Sequence, residues 1–123
     1  MPEKLDEIYN ELVLSNTASP KNRGYNFEFD LKGNFLSVTP EAAEFAGYPL
    51  GALETMSVWD VVSEKDHDLM LENFAARKEN KPVEPYEVTL IKGDGKRVRI
   101  KVQTMPVVEN GKVVRIKGMF LPL

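Results

Sequence analysis

From Tyr86 to Phe120 the chain alternates apolar with polar residues, in three runs separated by two short polar reversals. Tyr86, Val88 and Leu90 form the first set, Val98, Ile100 and Val102 the second, and Val114, Ile116, Gly118 and Phe120 the third. A period of two belongs to a strand with one buried face, because successive side chains leave a pleated backbone on opposite sides. The breaks have turn chemistry. Gly93-Asp94-Gly95 and Glu109-Asn110-Gly111-Lys112 supply Asp-Gly and Asn-Gly pairs, and the second suits the two positive φ angles of a type I′ reversal. Strands joined this tightly lie antiparallel, so the second half predicts a three-stranded meander whose apolar face needs a cover.

The first half supplies two more strands and the cover. Phe27, Phe29 and Leu31 alternate with Asn26, Glu28 and Asp30, Lys32-Gly33-Asn34 turns the chain, and a short strand from Phe35 to Val38 follows. Thr39-Pro40-Glu41 then reads as a helix start, with threonine as N-cap, proline at the first helical position and an acid in the first turn. Helical material continues to residue 80, broken at Gly47-Tyr48-Pro49 and around Ser63 to Asp66. The last helix, from about Asp66 to Lys78, puts Leu69, Met70, Asn73, Phe74 and Arg77 on one face, and Ser63 and Asp66 are expected to cap it. The element order β-β-α-α-α-β-β-β predicts an α+β fold, an antiparallel sheet with short helices on one face. With 123 residues there is material for one core.

Ahead of this unit, residues 3 to 14 place Leu5, Ile8, Tyr9, Leu12 and Val13 on one helical stripe, while Glu3, Asp6, Glu7 and Glu11 mark the other face. Ser15-Asn16-Thr17-Ala18-Ser19-Pro20 ends that helix as a small polar linker. Residues 1–20 therefore read as an N-terminal amphipathic helix with its linker, and residues 21–123 as the domain.

In the order and spacing of these turns the chain resembles the PAS family over about residues 25 to 120. Asp30-Leu31-Lys32-Gly33 is similar to the family's first D-x-x-G hairpin, Thr39-Pro40-Glu41-Ala42-Ala43 to its N-P-A-A-type helix start, and Phe45-Ala46-Gly47-Tyr48 to its G-Y helix exit. Lys92-Gly93-Asp94-Gly95-Lys96 resembles its K-x-D-G turn, and Asn110-Gly111-Lys112 its last hairpin ahead of a V-x-x-I-x-G strand. The resemblance implies a five-stranded antiparallel sheet in the order 2-1-5-4-3, short helices across one face, and a cavity or core between. It also implies a sensor or interaction module without catalysis. Two positions depart from the pattern: Thr39 stands where many members have asparagine, and Leu121-Pro122-Leu123 replaces the D-I-T-type ending that leads into an effector domain.

Composition narrows the chemistry. The chain has no cysteine, which excludes disulfides, thiolate metal sites, a covalent flavin adduct and a cysteine-linked chromophore. Haem is not expected either. The one histidine, His67, sits between Asp66 and Asp68 and reads as solvent-facing, and the family's haem position falls nearest Met70. Asp60, Glu64, Asp66 and Asp68 lack the spacing of a metal loop, so no metal and no catalytic residue is assigned. Phe29, Phe45, Tyr48, Met56, Trp59, Phe74 and Leu90 are the candidate lining of a ligand pocket, with plain core filling as the other reading of the same residues.

Partners follow from charge. Residues 41 to 84 hold ten acids and four bases, residues 86 to 123 three acids and eight bases, within a net charge of −3. An acidic total does not suit nucleic acid. No apolar run approaches the roughly 18 residues that cross a bilayer, so no membrane partner is expected and a cytoplasmic location is. Leu5, Ile8 and Leu12 are the expected dimerisation residues. A helix of about twelve residues is marginal alone, and its acids complement Arg99, Lys101, Arg115 and Lys117 on the outward side of the meander. Gln103, Met105 and Met119 share that outward side. The expected function is a PAS-type signal sensor or regulatory module for a small molecule or for homodimerisation, coupled to an effector. The alternatives are a ligand-free dimerisation scaffold and a small isomerase- or cyclase-like enzyme.

Overall fold

The structure, a computed structural model, describes residues 25–123. The stripe of Leu5, Ile8 and Leu12 and the boundary at residue 20 lie outside the described residues. Five strands, β1 (Asn26–Phe29), β2 (Phe35–Val38), β3 (Tyr86–Ile91), β4 (Arg97–Glu109) and β5 (Lys112–Pro122), form one sheet in the order β2-β1-β5-β4-β3. Every neighbouring pair is antiparallel, as expected. Between β2 and β3 run α1 (Pro40–Ala46), α2 (Leu50–Leu53), α3 (Val58–Val61), a 3₁₀ turn (Glu64–Asp66) and α4 (His67–Lys78).

Register puts the apolar sets on one face. Phe27 pairs with Gly118 and Phe29 with Ile116, Phe120 with Val102, and Val102 with Tyr86. Gly118 is glycine because the Phe27 ring lies across it: a Cβ there would come within 2.5 Å of that ring. Asn110 and Gly111, with φ of 52° and 77°, make the type I′ turn that the Asn-Gly pair predicts. One member of the third set departs from its pattern. Val114 is exposed, because β1 begins its pairing only at Ile116 and the tip of the β4–β5 hairpin runs beyond the other strands. Alternation tells which side a residue faces and not whether anything lies there.

Against this face α4 presents Met70, Phe74 and Arg77, all buried. Leu69, expected to join them, is 38% exposed at the edge of the stripe. The buried Arg77 ties α4 to the sheet. Its Nε donates to Thr104 Oγ1 at 3.1 Å and its Nη2 to the Thr104 carbonyl at 2.7 Å, with further bonds to the carbonyls of Lys81 and Val83. Tyr86 is buried nearby, and burial pushes its phenol well above the ordinary value of 10.0, with the Arg77 charge opposing only in part.

Two expected helix caps are used elsewhere. The Thr39 side chain does not cap α1; it accepts from the Asn26 N–H and donates to the Asn26 carbonyl, each at 3.2 Å, closing the end of the β1–β2 pair. Ser63 and Asp66 do not cap α4 either. The Asp66 carboxylate accepts from the Thr89 N–H at 2.8 Å and the Ser63 hydroxyl accepts from Arg97 at 3.1 Å. Strand backbone at Asn26 and at Thr89 on the edge strand β3 needs partners, and Thr39 and Asp66 supply them, while Ser63 receives the Arg97 guanidinium. The helix exit at Gly47 (φ 80°) touches the β3–β4 turn, where the Gly93 N–H donates to the Ala46 carbonyl at 2.8 Å.

A Cβ on Gly93 would fall on the Gly47 carbonyl. Gly93→Ala is expected to cost about 2 kcal/mol or more in urea unfolding, whereas Gly51→Ala, in α2 with nothing within 4 Å of the new methyl, should be neutral or stabilising. Equal effects would place no weight on the Gly47–Gly93 contact. Tyr86 gives a pH test. Its folded value is raised, so its contribution is complete below the unfolded value of about 10 and is lost as pH rises through that value toward the folded one. Tyr86→Phe should make the alkaline fall in stability shallower while leaving its slope with pH below about 9 unchanged; an unaltered alkaline limb would contradict the burial.

Candidate functional site

Between the sheet and the helices lies a cavity of about 60 Å³. Phe27, Phe29, Leu90 and Val102 line it from the strands, Val61 from α3 and Met70 from α4. Tyr86 is the one lining residue with a polar side chain. An apolar void of this size offers too few polar partners to hold water well, and it is several times smaller than the roughly 300 Å³ at which pockets for drug-sized molecules begin. As folded, it suits a small apolar molecule. Val88 in its wall has 0% exposure, while Phe27, Phe35 and Val38 at its margin are half-buried.

The seven aromatic, aliphatic and sulfur residues singled out in the sequence do not all meet. Phe29 and Leu90 line the cavity. Phe74 stacks on Phe29 at 5.0 Å and, with Trp59 at 5.3 Å, lines a second depression on the outside of α4. Phe45, Tyr48 and Met56 pack against the core from its margin. Phe45 contacts Tyr25 and Phe120 and lies under the Lys92 ammonium at 5.0 Å. Tyr48 donates from its hydroxyl to the Ile91 carbonyl at 2.7 Å, holding the exit of α1 to the end of β3, and partial burial beside Asp60 raises its pKa. The cavity residues that sequence reasoning passed over, such as Ala42, Val61, Val88 and Val102, are aliphatics whose pattern is that of any core.

His67 differs from the solvent-facing expectation. It is half-buried, with Nε2 3.0 Å from the Val62 carbonyl and its ring edge-on to Trp59 at 5.3 Å. The chain reverses between α3 and α4, which brings the ring under the indole and the carbonyl within reach. Trp59 donates its indole N–H to the Lys32 carbonyl at 2.8 Å. Among the described residues no group of three or more histidines or acids is placed to hold a metal ion.

The outer face of the sheet carries a second feature. Gln103 and Met119 are cross-strand neighbours pointing away from the helices, yet they are only 3% and 1% exposed. Lys101 and Lys117 on the same face are exposed. Both polar atoms of the Gln103 amide are buried without a hydrogen-bond partner among the described residues. The described helices all pack on the opposite face.

Comparisons with known proteins fit this architecture. A PAS domain from Colwellia psychrerythraea superposes with a TM-score of 0.71 at 18% identity, over 90% of this chain and 97% of that one. A sensory box histidine kinase/response regulator from Burkholderia thailandensis gives 0.64 at 15% identity, covering 80% and 76%. The N-terminal domain of a diguanylate cyclase with PAS/PAC sensor from Marinobacter aquaeolei gives 0.66 at 16% identity, covering 79% and 92%. Nothing among the curated proteins matches the sequence. The family model described as the PAS fold matches residues 26–122, which is nearly the whole described chain, and the protein therefore belongs to the PAS family.

Proposed function

We propose that this chain is a regulatory sensor module that reads a small apolar molecule in its central cavity and reports by association through its N-terminal helix. PAS domains are sensor and signalling modules. The observation that carries the finer reading is the 60 Å³ apolar cavity enclosed by both layers of the fold. A ligand there acts by population shift, favouring whichever packing of helices and sheet holds it better. Two of the similar structures are described as a sensory box histidine kinase/response regulator and as the N-terminal domain of a diguanylate cyclase with PAS/PAC sensor, which supports an effector in a two-component or related signalling chain. No helix among the described residues is long and apolar enough to cross a membrane, and we assign the module to the cytoplasm.

For output, the buried pair Gln103 and Met119 on the sheet's outer face supports a packing site there. The stripe of Leu5, Ile8 and Leu12 is the segment we assign to it, within a homodimer, with its acids facing Lys101 and Lys117. Exposed charge pairs add little, so the stripe supplies most of the energy. The enzyme alternative requires a carboxylate or imidazole in the cavity, and none of the lining residues carries one. The ligand-free scaffold is favoured by the small volume of the cavity and is separated by experiment.

Gently purified protein is expected to carry a small non-covalent adduct in native mass spectrometry, or to take up xenon with NMR shifts centred on Val88 and Val102. A clean apoprotein dimer that ignores xenon would leave the scaffold reading. The Leu5→Asp, Leu12→Asp double variant should be monomeric by light scattering while keeping its circular dichroism. Unchanged dimer mass would remove the stripe from the interface.

A further inference from the structure

The depression outside α4 is a different place from the cavity, on the solvent side of the helix layer. Leu31, Lys32, Trp59, Leu71, Ala75 and Lys78 form most of its surface, and its volume is about 580 Å³. Its floor is apolar and open along α4. Leu71 is 56% exposed there and lines one contiguous apolar surface with Leu31, Trp59 and Ala75. Leu71, Ala75 and Lys78 follow one another at i, i+4 and i+7, so the floor extends for about two turns, or ~10 Å at 1.5 Å per residue.

The facing wall is fixed before anything arrives. Trp59 is held by its bond to the Lys32 carbonyl and by ring contacts with His67 and Phe74. Gly33 lies so close that a Cβ on it would approach the indole nitrogen to 2.7 Å. A wall ordered in the free protein costs little entropy on binding.

Charge selects the occupant. Among the described residues neither Lys32 nor Lys78 makes an ion pair, whereas the single acid on the rim, Glu79, pairs with Lys81 at 3.2 Å. The trench therefore offers an apolar floor together with two ammonium groups that no described acid pairs, in a chain whose net charge is −3. From this complementarity we infer that the trench is a docking site for an acidic amphipathic helix of a partner protein. The partner's leucine-type stripe at i, i+4 and i+7 lies along Leu71, Ala75 and Trp59, and its flanking carboxylates meet Lys32 and Lys78. Electrostatics then set the selectivity and the encounter rate, and apolar burial sets most of the affinity. This inference goes beyond the sensor reading and stands whether or not the central cavity is filled.

Trp59 is the only tryptophan, so its emission reports the trench directly in the full chain. The probe is a helical peptide without aromatic residues, with leucines at i, i+4 and i+7 and glutamates on its flanks. The peptide is expected to shift Trp59 emission saturably. Lys32→Glu with Lys78→Glu, or a peptide with lysine in place of glutamate, should weaken binding by about tenfold or more. Leu71→Ser, at an exposed position, should weaken it with circular dichroism unchanged. An emission unmoved by the peptide, or equal binding by the charge-reversed variant, would overturn the proposal. So would emission that changes with protein concentration alone, which would give the trench to a second copy of the chain.

Discussion

The fold depends on β1 pairing with the central strand β5. The strand is four residues long, made far in sequence from its neighbour β5, and it inserts between β2 and β5 with Phe27 and Phe29 turned inward. Phe29 is 1% exposed, its ring stacks on Phe27 at 5.2 Å and Phe74 at 5.0 Å, and its backbone pairs with Ile116, so one residue joins the early hairpin, α4 and the late meander. Closing the loop between residues 29 and 116 costs entropy that only such contacts offset. A buried phenylalanine contributes about 3–5 kcal/mol relative to alanine. Gly118 follows from the same contact, because a side chain there would deny Phe27 its place.

This explains what could be read from the residues alone. The meander was legible because its strands are consecutive and its turns local: Asp94-Gly95 and Asn110-Gly111 state their own geometry. The position of β1 between β2 and β5 was not a matter of period, since Phe27 and Phe29 would alternate equally well at an edge, and it came instead from the likeness of the motifs to the PAS family. Polar residues were harder. Thr39, Ser63 and Asp66 all have capping chemistry, and each gives its bond to a strand distant in sequence, at Asn26, Arg97 and Thr89. Local rules name what a side chain can do, and the tertiary neighbour decides which option is taken. The site showed the same split. Aromatics suggested a pocket, but the chain spends Phe45 and Tyr48 on tying α1 to the sheet and leaves much of the cavity wall to valines and alanines.

The walls of that cavity are not equally stiff. On one side, β4 and β5 run antiparallel from the Ile100–Pro122 pair to the Glu109–Lys112 pair, a ladder that yields only as a unit. On the other, α3 has four residues, too few for helical hydrogen bonding to hold it alone. Its ends are fastened elsewhere: the Val58 N–H donates to the Gly33 carbonyl at 2.8 Å, and Val62 bridges Leu90 on the edge strand. The same short helix turns Val58 and Val61 to the cavity and Trp59 outward to the trench. A molecule that overfills about 60 Å³ must displace a wall, and α3 is one of the two four-residue helices that line the cavity. It is tied to both sides of the helix layer, because the Trp59 indole bonds to the Lys32 carbonyl, the Val58 N–H to Gly33, and Val62 pairs with Leu90. The interior and the outer surface of the helix layer are thereby joined through α3 by direct contacts.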